Sequence, residues 1–268
     1  ASPLRRYRGA GIVKRIILGL LFDGENFYLS RNFRLQRLGN LGWLQEHFQI
    51  FDLASFVDEV AVFHVARTAS TRQFADSVKA LSENLFVPMS VGGGIRSLAD
   101  ADVLLRSGAD RLLFSGSLWN EPTLVADVGH KYGRQSIVGV VNYSLSADNL
   151  PQFRLQDSER SRLINMESLP YESLSELVGE IVIQSVARDG TGQGFPVGEL
   201  DCFEPLKKMP WIVAGGFGSP SHISQTLGHA RVEAVITSNL LAFIGTGLQL
   251  ARSEALQNGV KLANWETV

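Results

Sequence analysis

Two glycine turns carry the residue types that hold phosphate. Gly93–Gly94 and Gly215–Gly216 each follow an aliphatic run and each lead into a helix-like segment. Glycine lets the backbone approach a ligand closely, and a helix N-terminus presents free N–H groups at the positive end of its dipole. Gly93–Gly94 with Ser115 and Gly116 form one candidate phosphate site. Gly215–Gly216 with Thr237, Ser238 and Asn239 form the other. For either turn taken singly, a tight turn without a ligand is the alternative. A dinucleotide fingerprint is not supported, because after Gly92 and Gly94 the third glycine position holds Ser97.

The turns are copies within an internal repeat. The segment VPMSVGGGIRS from Val87 aligns without gaps to MPWIVAGGFGS from Met209. Pro88/Pro210, Val91/Val213, Gly93/Gly215, Gly94/Gly216 and Ser97/Ser219 coincide at an offset of 122. EVAVFHVAR from Glu59 matches EIVIQSVAR from Glu180 at an offset of 121, which also places Leu21 over Asn142. The two turns therefore fall on opposite sides of one mouth, a geometry suited to an elongated ligand with a phosphate at each end.

The elements that must position them are short and nearly all apolar, as strands covered on both faces are. Strands are predicted near Arg15–Leu21, Val60–Val65, Val87–Gly92, Arg111–Ser115, Ser136–Asn142, Ile181–Ser185, Pro210–Gly215 and Glu233–Thr237. Helices are predicted over Thr71–Ser82, Leu98–Ser107, Glu121–Tyr132, Ser219–Leu227 and Asn239–Asn258. Ser97 and Ser219 read as N-caps, and Gly108 and Gly133 as helix stops. The polar stretch Asp148–Leu169 reads as a long loop or hairpin after the fifth strand. Eight strand–helix units with a two-fold repeat fit a single (β/α)8 TIM barrel, an α/β fold, over residues 1–268 with 1–12 as an N-terminal extension.

Composition narrows the function classes. With 25 basic and 27 acidic residues the net charge is −2, so nucleic acid is not an expected partner. Arg5, Arg6 and Arg8 read as a solvated tail. The longest apolar run, Ile16–Phe22, is too short to span a bilayer, and no signal peptide is visible, so no membrane partner is expected. Cys202 is the one cysteine; an intramolecular disulfide is impossible, which fits the cytoplasm. The five histidines show no ligand spacing, and neither a metal nor a cofactor is expected.

From Val13 to about Asn258 the chain resembles the cyclase subunit of imidazole glycerol phosphate synthase, a sister of the phosphoribosyl-formimino isomerase barrels. VKRII, VDEVAVF, VPMSVGGGI, SGADRLLFSGS, GEIVIQSVARDGT and AGGFGS carry the resemblance. It implies a lyase-type synthase subunit of histidine biosynthesis that takes ammonia from a glutaminase partner. Such a subunit cleaves and cyclises a bis-phosphorylated aminoimidazole-carboxamide nucleotide. The resemblance assigns Arg15, Glu59, Arg111 and Glu180 to a salt-bridge ring that gates ammonia at the barrel floor, although a structural plug is compatible with the same residues. It sets Asp110 on the face toward the glutaminase. Asp189, in RDGT, falls near the ribosyl side of the substrate; a turn-capping carboxylate is the alternative.

The chain departs from the family at its proton-transfer groups. Aspartates that end the first and fifth strands are replaced by Leu21 and Asn142, which cannot transfer a proton, a contribution of roughly 10²–10⁴-fold. The lysine expected after the first strand is missing: the aligned position is Leu29, and the nearest basic residue is Arg31. The second strand ends in His64 where an aspartate is usual; it is either a substitute acid or base or a hydrogen-bonded barrel histidine. Asp23 and Tyr143 are further candidates. A related branch, which also lacks the first aspartate, works with a glutaminase to amidate nucleotide sugars for surface polysaccharide. A non-catalytic phosphate-binding scaffold or regulatory subunit is the reading from another class. The isomerase chemistry of the sister family also uses the two lost aspartates.

Overall fold

A computed structural model describes residues 13–53, 56–66, 71–156, 161–165, 171–238 and 246–263. Eight parallel strands close into a barrel: β1 (Arg15–Phe22), β4 (Glu59–His64), β5 (Met89–Gly92), β6 (Arg111–Phe114), β7 (Ile137–Leu145), β10 (Glu180–Ser185), β11 (Trp211–Ala214) and β12 (Val232–Thr237). Closure is made by β12 on β1, with Arg15 opposite Ala234, and by β10 on β7, with Glu180 opposite Val138. The eight predicted strands are all present, each within two residues at its N-terminal end. The N-terminal extension 1–12 lies outside the described residues.

The helices form because their apolar residues recur at helical spacing and can cover the outside of the barrel. They are α1 (Leu41–Phe48), α2 (Ile50–Leu53), α3 (Thr71–Ser82), α4 (Leu98–Arg106), α5 (Ser117–Asn120), α6 (Pro122–Tyr132), α7 (Tyr171–Leu177), α8 (Pro220–Leu227) and α9 (Gly247–Gln257). In α3 the buried set is Phe74, Ala75, Val78 and Leu81. Ser97 caps α4 by accepting from the Asp100 N–H, as its position predicts. Ser219 stands at the N-cap of α8 but caps no N–H, and its hydroxyl pairs with Ser221 at 2.9 Å.

Two antiparallel hairpins enlarge the sheet beyond the eight strands. One, β8 (Pro151–Gln156) and β9 (Ser161–Asn165), extends β7 and falls where a long loop or hairpin is predicted. The other, β2 (Phe27–Arg31) and β3 (Arg34–Gly39), has no counterpart among the predicted strands. Its two-residue turn is Asn32–Phe33, both left-handed at φ 51° and 61°. Such turns usually announce themselves by glycine, and here none is present.

The interior is stacked in levels. Arg15, Glu59 and Glu180 begin their strands at the floor, with Arg111 beginning β6 beside them. Above them lies an apolar plug that includes Ile17, Ala61, Val138, Val182, Ile212 and Ala234. A separate, larger core fills the space between barrel and helices. Among the described residues no helix is long and apolar enough to cross a membrane, and no group of His, Cys, Asp or Glu is placed to hold a metal.

Candidate functional site

A cavity of about 700 Å³ opens at the strand-end mouth. Both glycine turns line it: Gly93, Gly94, Ser115 and Gly116 on one side, Gly215, Gly216 and Ser238 on the other. Asn239, predicted to complete the second group, lies outside the described residues. The repeat is visible as backbone geometry. A Cβ on Gly93 would lie 2.3 Å from the His64 carbonyl oxygen; on Gly215 it would lie 2.8 Å from that of Ser185, the repeat-mate of His64. Only glycine allows each loop to lie this close to the neighbouring strand. The N–H groups of Gly94 and Gly216 donate to no protein acceptor among the described residues. They are donors at the cavity wall available to an oxyanion.

Leu21 and Asn142 both line the cavity. Leu21 stands beside Phe63, and Asn142 beside Gln184, which also lines the cavity. Asn142 Oδ1 is buried and accepts no hydrogen bond among the described residues. The strand-end positions are therefore turned to the site, but one is apolar and the other neither gains nor loses a proton at ordinary pH.

Asp189 also lines the cavity, and its carboxylate is engaged. Oδ2 accepts from Ser30 Oγ at 2.5 Å and from the Phe33 N–H at 2.9 Å, while the Asp189 carbonyl accepts from the Asn32 N–H at 3.0 Å. The tip of the β2–β3 hairpin is thus fixed to the loop after β10, and Ser30, Phe33 and Leu35 become part of the cavity wall. These residues escape a sequence reading because no glycine marks the turn. Nor does Phe27–Gly39 alternate: Phe27, Tyr28 and Leu29 are consecutive, and Gln36 and Arg37 are adjacent polar residues. Arg31 is exposed and is not among the residues that line the cavity.

His64 lines the same cavity beside the first glycine turn. Burial lowers its pKa, and hydrogen bonding to the Asp23 backbone and attraction to the Asp23 carboxylate only partly oppose this. Asp23 itself is a turn cap: it accepts from the Glu25 and Asn26 N–H groups and from the Tyr28 hydroxyl. Burial pulls Asp23 upward, but these bonds outweigh it and hold the carboxyl below its usual range. Tyr143 turns away from the cavity, donating to Glu199 Oε2 at 2.6 Å against the edge of Phe203. Burial and that hydrogen bond push its phenol far above the ordinary tyrosine range.

At the opposite end, Arg15 donates to Glu59 at 2.7 Å and to Glu180 at 2.6 Å, and Arg111 donates to the second oxygen of each carboxylate. The four side chains close a ring with each carboxylate shared between two guanidinium groups. Burial would raise Glu180, but Arg15 and Arg111 outweigh it and hold it below the usual range. Beside the ring, the exposed Asp110 accepts the Met89 N–H at 2.8 Å and so braces the start of β5.

Residues 47–245 match the family described as histidine biosynthesis protein. The chain is 36% identical over 260 residues, 94% of both chains, to a protein of Parasynechococcus marenigrum (strain WH8102) provisionally named imidazole glycerol phosphate synthase subunit hisF2. It is 26% identical to imidazole glycerol phosphate synthase subunit HisF of Staphylococcus saprophyticus, over 92% of this chain and 93% of the other. It is 28% identical to the HisF subunit of Kocuria rhizophila, over 87% and 91%.

Proposed function

The chain belongs to the histidine biosynthesis protein family, and from that premise we propose that it is an ammonia-using synthase subunit that holds a bis-phosphorylated or nucleotide substrate. The observation that carries this reading is the pair of repeat-related glycine turns facing one cavity. Gly93, Gly94, Ser115 and Gly116 bind one phosphate; Gly215, Gly216, Ser238 and Asn239 bind the other. Backbone N–H donors suit this task because they do not ionise at ordinary pH and need no reorganisation.

A glutaminase subunit docks on the strand-start face, which includes Asp110. Ammonia passes the ring of Arg15, Glu59, Arg111 and Glu180 and crosses the apolar plug toward the mouth. An apolar passage favours neutral ammonia over ammonium, since a bare ion in low dielectric is strongly disfavoured. Asp189 contributes on the substrate's ribosyl side by holding the hairpin wall in place. The replacement of both usual aspartates by Leu21 and Asn142 supports a second reading, a phosphate-ligand-binding subunit without catalysis.

The test is reconstitution with a family glutaminase. Glutamine hydrolysis should rise when this chain and a bis-phosphorylated imidazole nucleotide are both present, and charge reversal at Asp110 should weaken the complex. Nucleotide binding with no effect on the glutaminase would favour the binding subunit. A product from nucleotide sugars would favour amidation. Absence of any phosphate-dependent binding would overturn the reading.

A further inference from the structure

The two glycine turns are alike in backbone but not in the side chain beside them. At the repeat position whose carbonyl each loop crowds, the first half has His64 and the second has Ser185. The His64 ring stacks on Phe74 of α3, with centroids 4.4 Å apart and planes at 22°. Its Nε2 is buried without a hydrogen-bond partner among the described residues. A Cβ placed on Gly94 would lie 3.8 Å from Nδ1, so the imidazole borders the space that an anion on the first turn occupies. Ser185, by contrast, is buried at 2% exposure and does not line the cavity.

Resting on the phosphate reading of these loops, we propose that His64 is the side-chain ligand of the first oxyanion site. It takes up a proton as the anion enters and turns its Nδ1 donor from the Asp23 backbone to an anion oxygen, whereas no histidine among the described residues lines the second site, where Arg188 packs beside Gly216. The two ends of the ligand are thereby distinguished, and the first end is gripped more tightly as pH falls.

The surroundings fit such a change of charge. Of the groups packed around the ring, Asp23, in the turn after β1, is the charged side chain that acts on it. The loop after β5 brings Arg96 to the cavity wall, and Glu121 and Asp189 line the cavity elsewhere. α3 meets the ring through Phe74, although the same helix carries Arg72, Asp76 and Lys79. Burial disfavours the charged form of His64, and the Asp23 backbone and carboxylate oppose this only in part. An incoming dianion favours the imidazolium, and a charge-assisted hydrogen bond is roughly twice as strong as a neutral one.

Sulfate is the probe, because it does not titrate where histidine does. Backbone amide NMR at Gly94 and Gly216 reads the two sites separately in the intact chain. Between about pH 8 and about pH 5.5, sulfate affinity at Gly94 should rise about tenfold, while that at Gly216 stays level. His64→Gln should flatten the response at Gly94 and leave Gly216 unchanged. In the unmodified protein, the His64 ring should titrate at higher pH with sulfate than without. Equal pH responses at both loops, or an unshifted His64 titration, would overturn the assignment while leaving the phosphate reading intact. No sulfate at either loop at any pH would overturn both.

Discussion

Ser30 donates its hydroxyl proton to Asp189 Oδ2 across 2.5 Å, joining residues that lie 159 positions apart in the chain. With the Phe33 N–H on the same oxygen, this contact fixes the hairpin tip over the mouth and holds Phe33 in its left-handed conformation. Such a conformation costs a non-glycine residue about 1–2 kcal/mol. Asp189→Ala should lower stability by about 1–3 kcal/mol, the range for lost hydrogen bonds to a charged, buried acceptor. Amide exchange over the hairpin should quicken selectively, with the barrel strands unchanged. Uniform exchange across the chain would refute a local latch.

The floor ring makes a sharper prediction about charge. Glu180→Ala leaves Arg15 and Arg111 each short of one partner in a largely buried setting, which should cost about 3–5 kcal/mol in urea unfolding. Replacing all four ring residues by apolar side chains of similar volume should cost far less, because both charge and its desolvation are removed together. The pH sign follows from Glu180, whose folded pKa is depressed. Its stabilisation is complete above the unfolded glutamate range near 4.5 and is lost as pH falls through the lower folded value. An unfolding series in acid should show Glu180→Ala losing less stability with falling pH than the unmodified protein.

Gly94 and Gly216 should respond differently to the same substitution. Gly94 has φ 73°, and a Cβ there meets nothing closer than 3.8 Å. Gly94→Ala should therefore cost only about 1–2 kcal/mol of backbone strain, while its methyl group obstructs the first anion site. At Gly216, φ is 91° and the Cβ would lie 2.4 Å from the Gly194 carbonyl oxygen. Gly216→Ala must shift that backbone, so its melting temperature should fall well below that of Gly94→Ala. Equal stability of the two variants would count against the described loop packing.

The mouth positions Leu21 and Asn142 bear on turnover. With ammonium salts and the family's bis-phosphorylated nucleotide, the unmodified chain should turn over very slowly. Leu21→Asp with Asn142→Asp should raise the rate, within the roughly 10²–10⁴-fold that general acid–base groups supply. Native-level turnover in the unmodified chain would mean that other groups, such as His64 or Glu121, make the proton transfers.

The barrel, its eight strands and its two related turns are legible in the sequence because burial on both faces forces near-continuous aliphatic runs, and because the halves repeat at offsets of 121 and 122. The family resemblance marks Leu21 and Asn142 as departures, and the repeat sets one over the other. What linear order does not carry is contact between residues far apart. Asp189 reads equally as a substrate ligand or a turn cap until the hairpin folds over and gives its carboxylate Ser30 and Phe33. Tyr143 and Asn142 are neighbours in the chain, yet strand alternation sends one outward to Glu199 and the other into the mouth. The hairpin itself stayed hidden because Asn32 and Phe33 take the left-handed turn without glycine, and its tip is held by a partner 156 residues away.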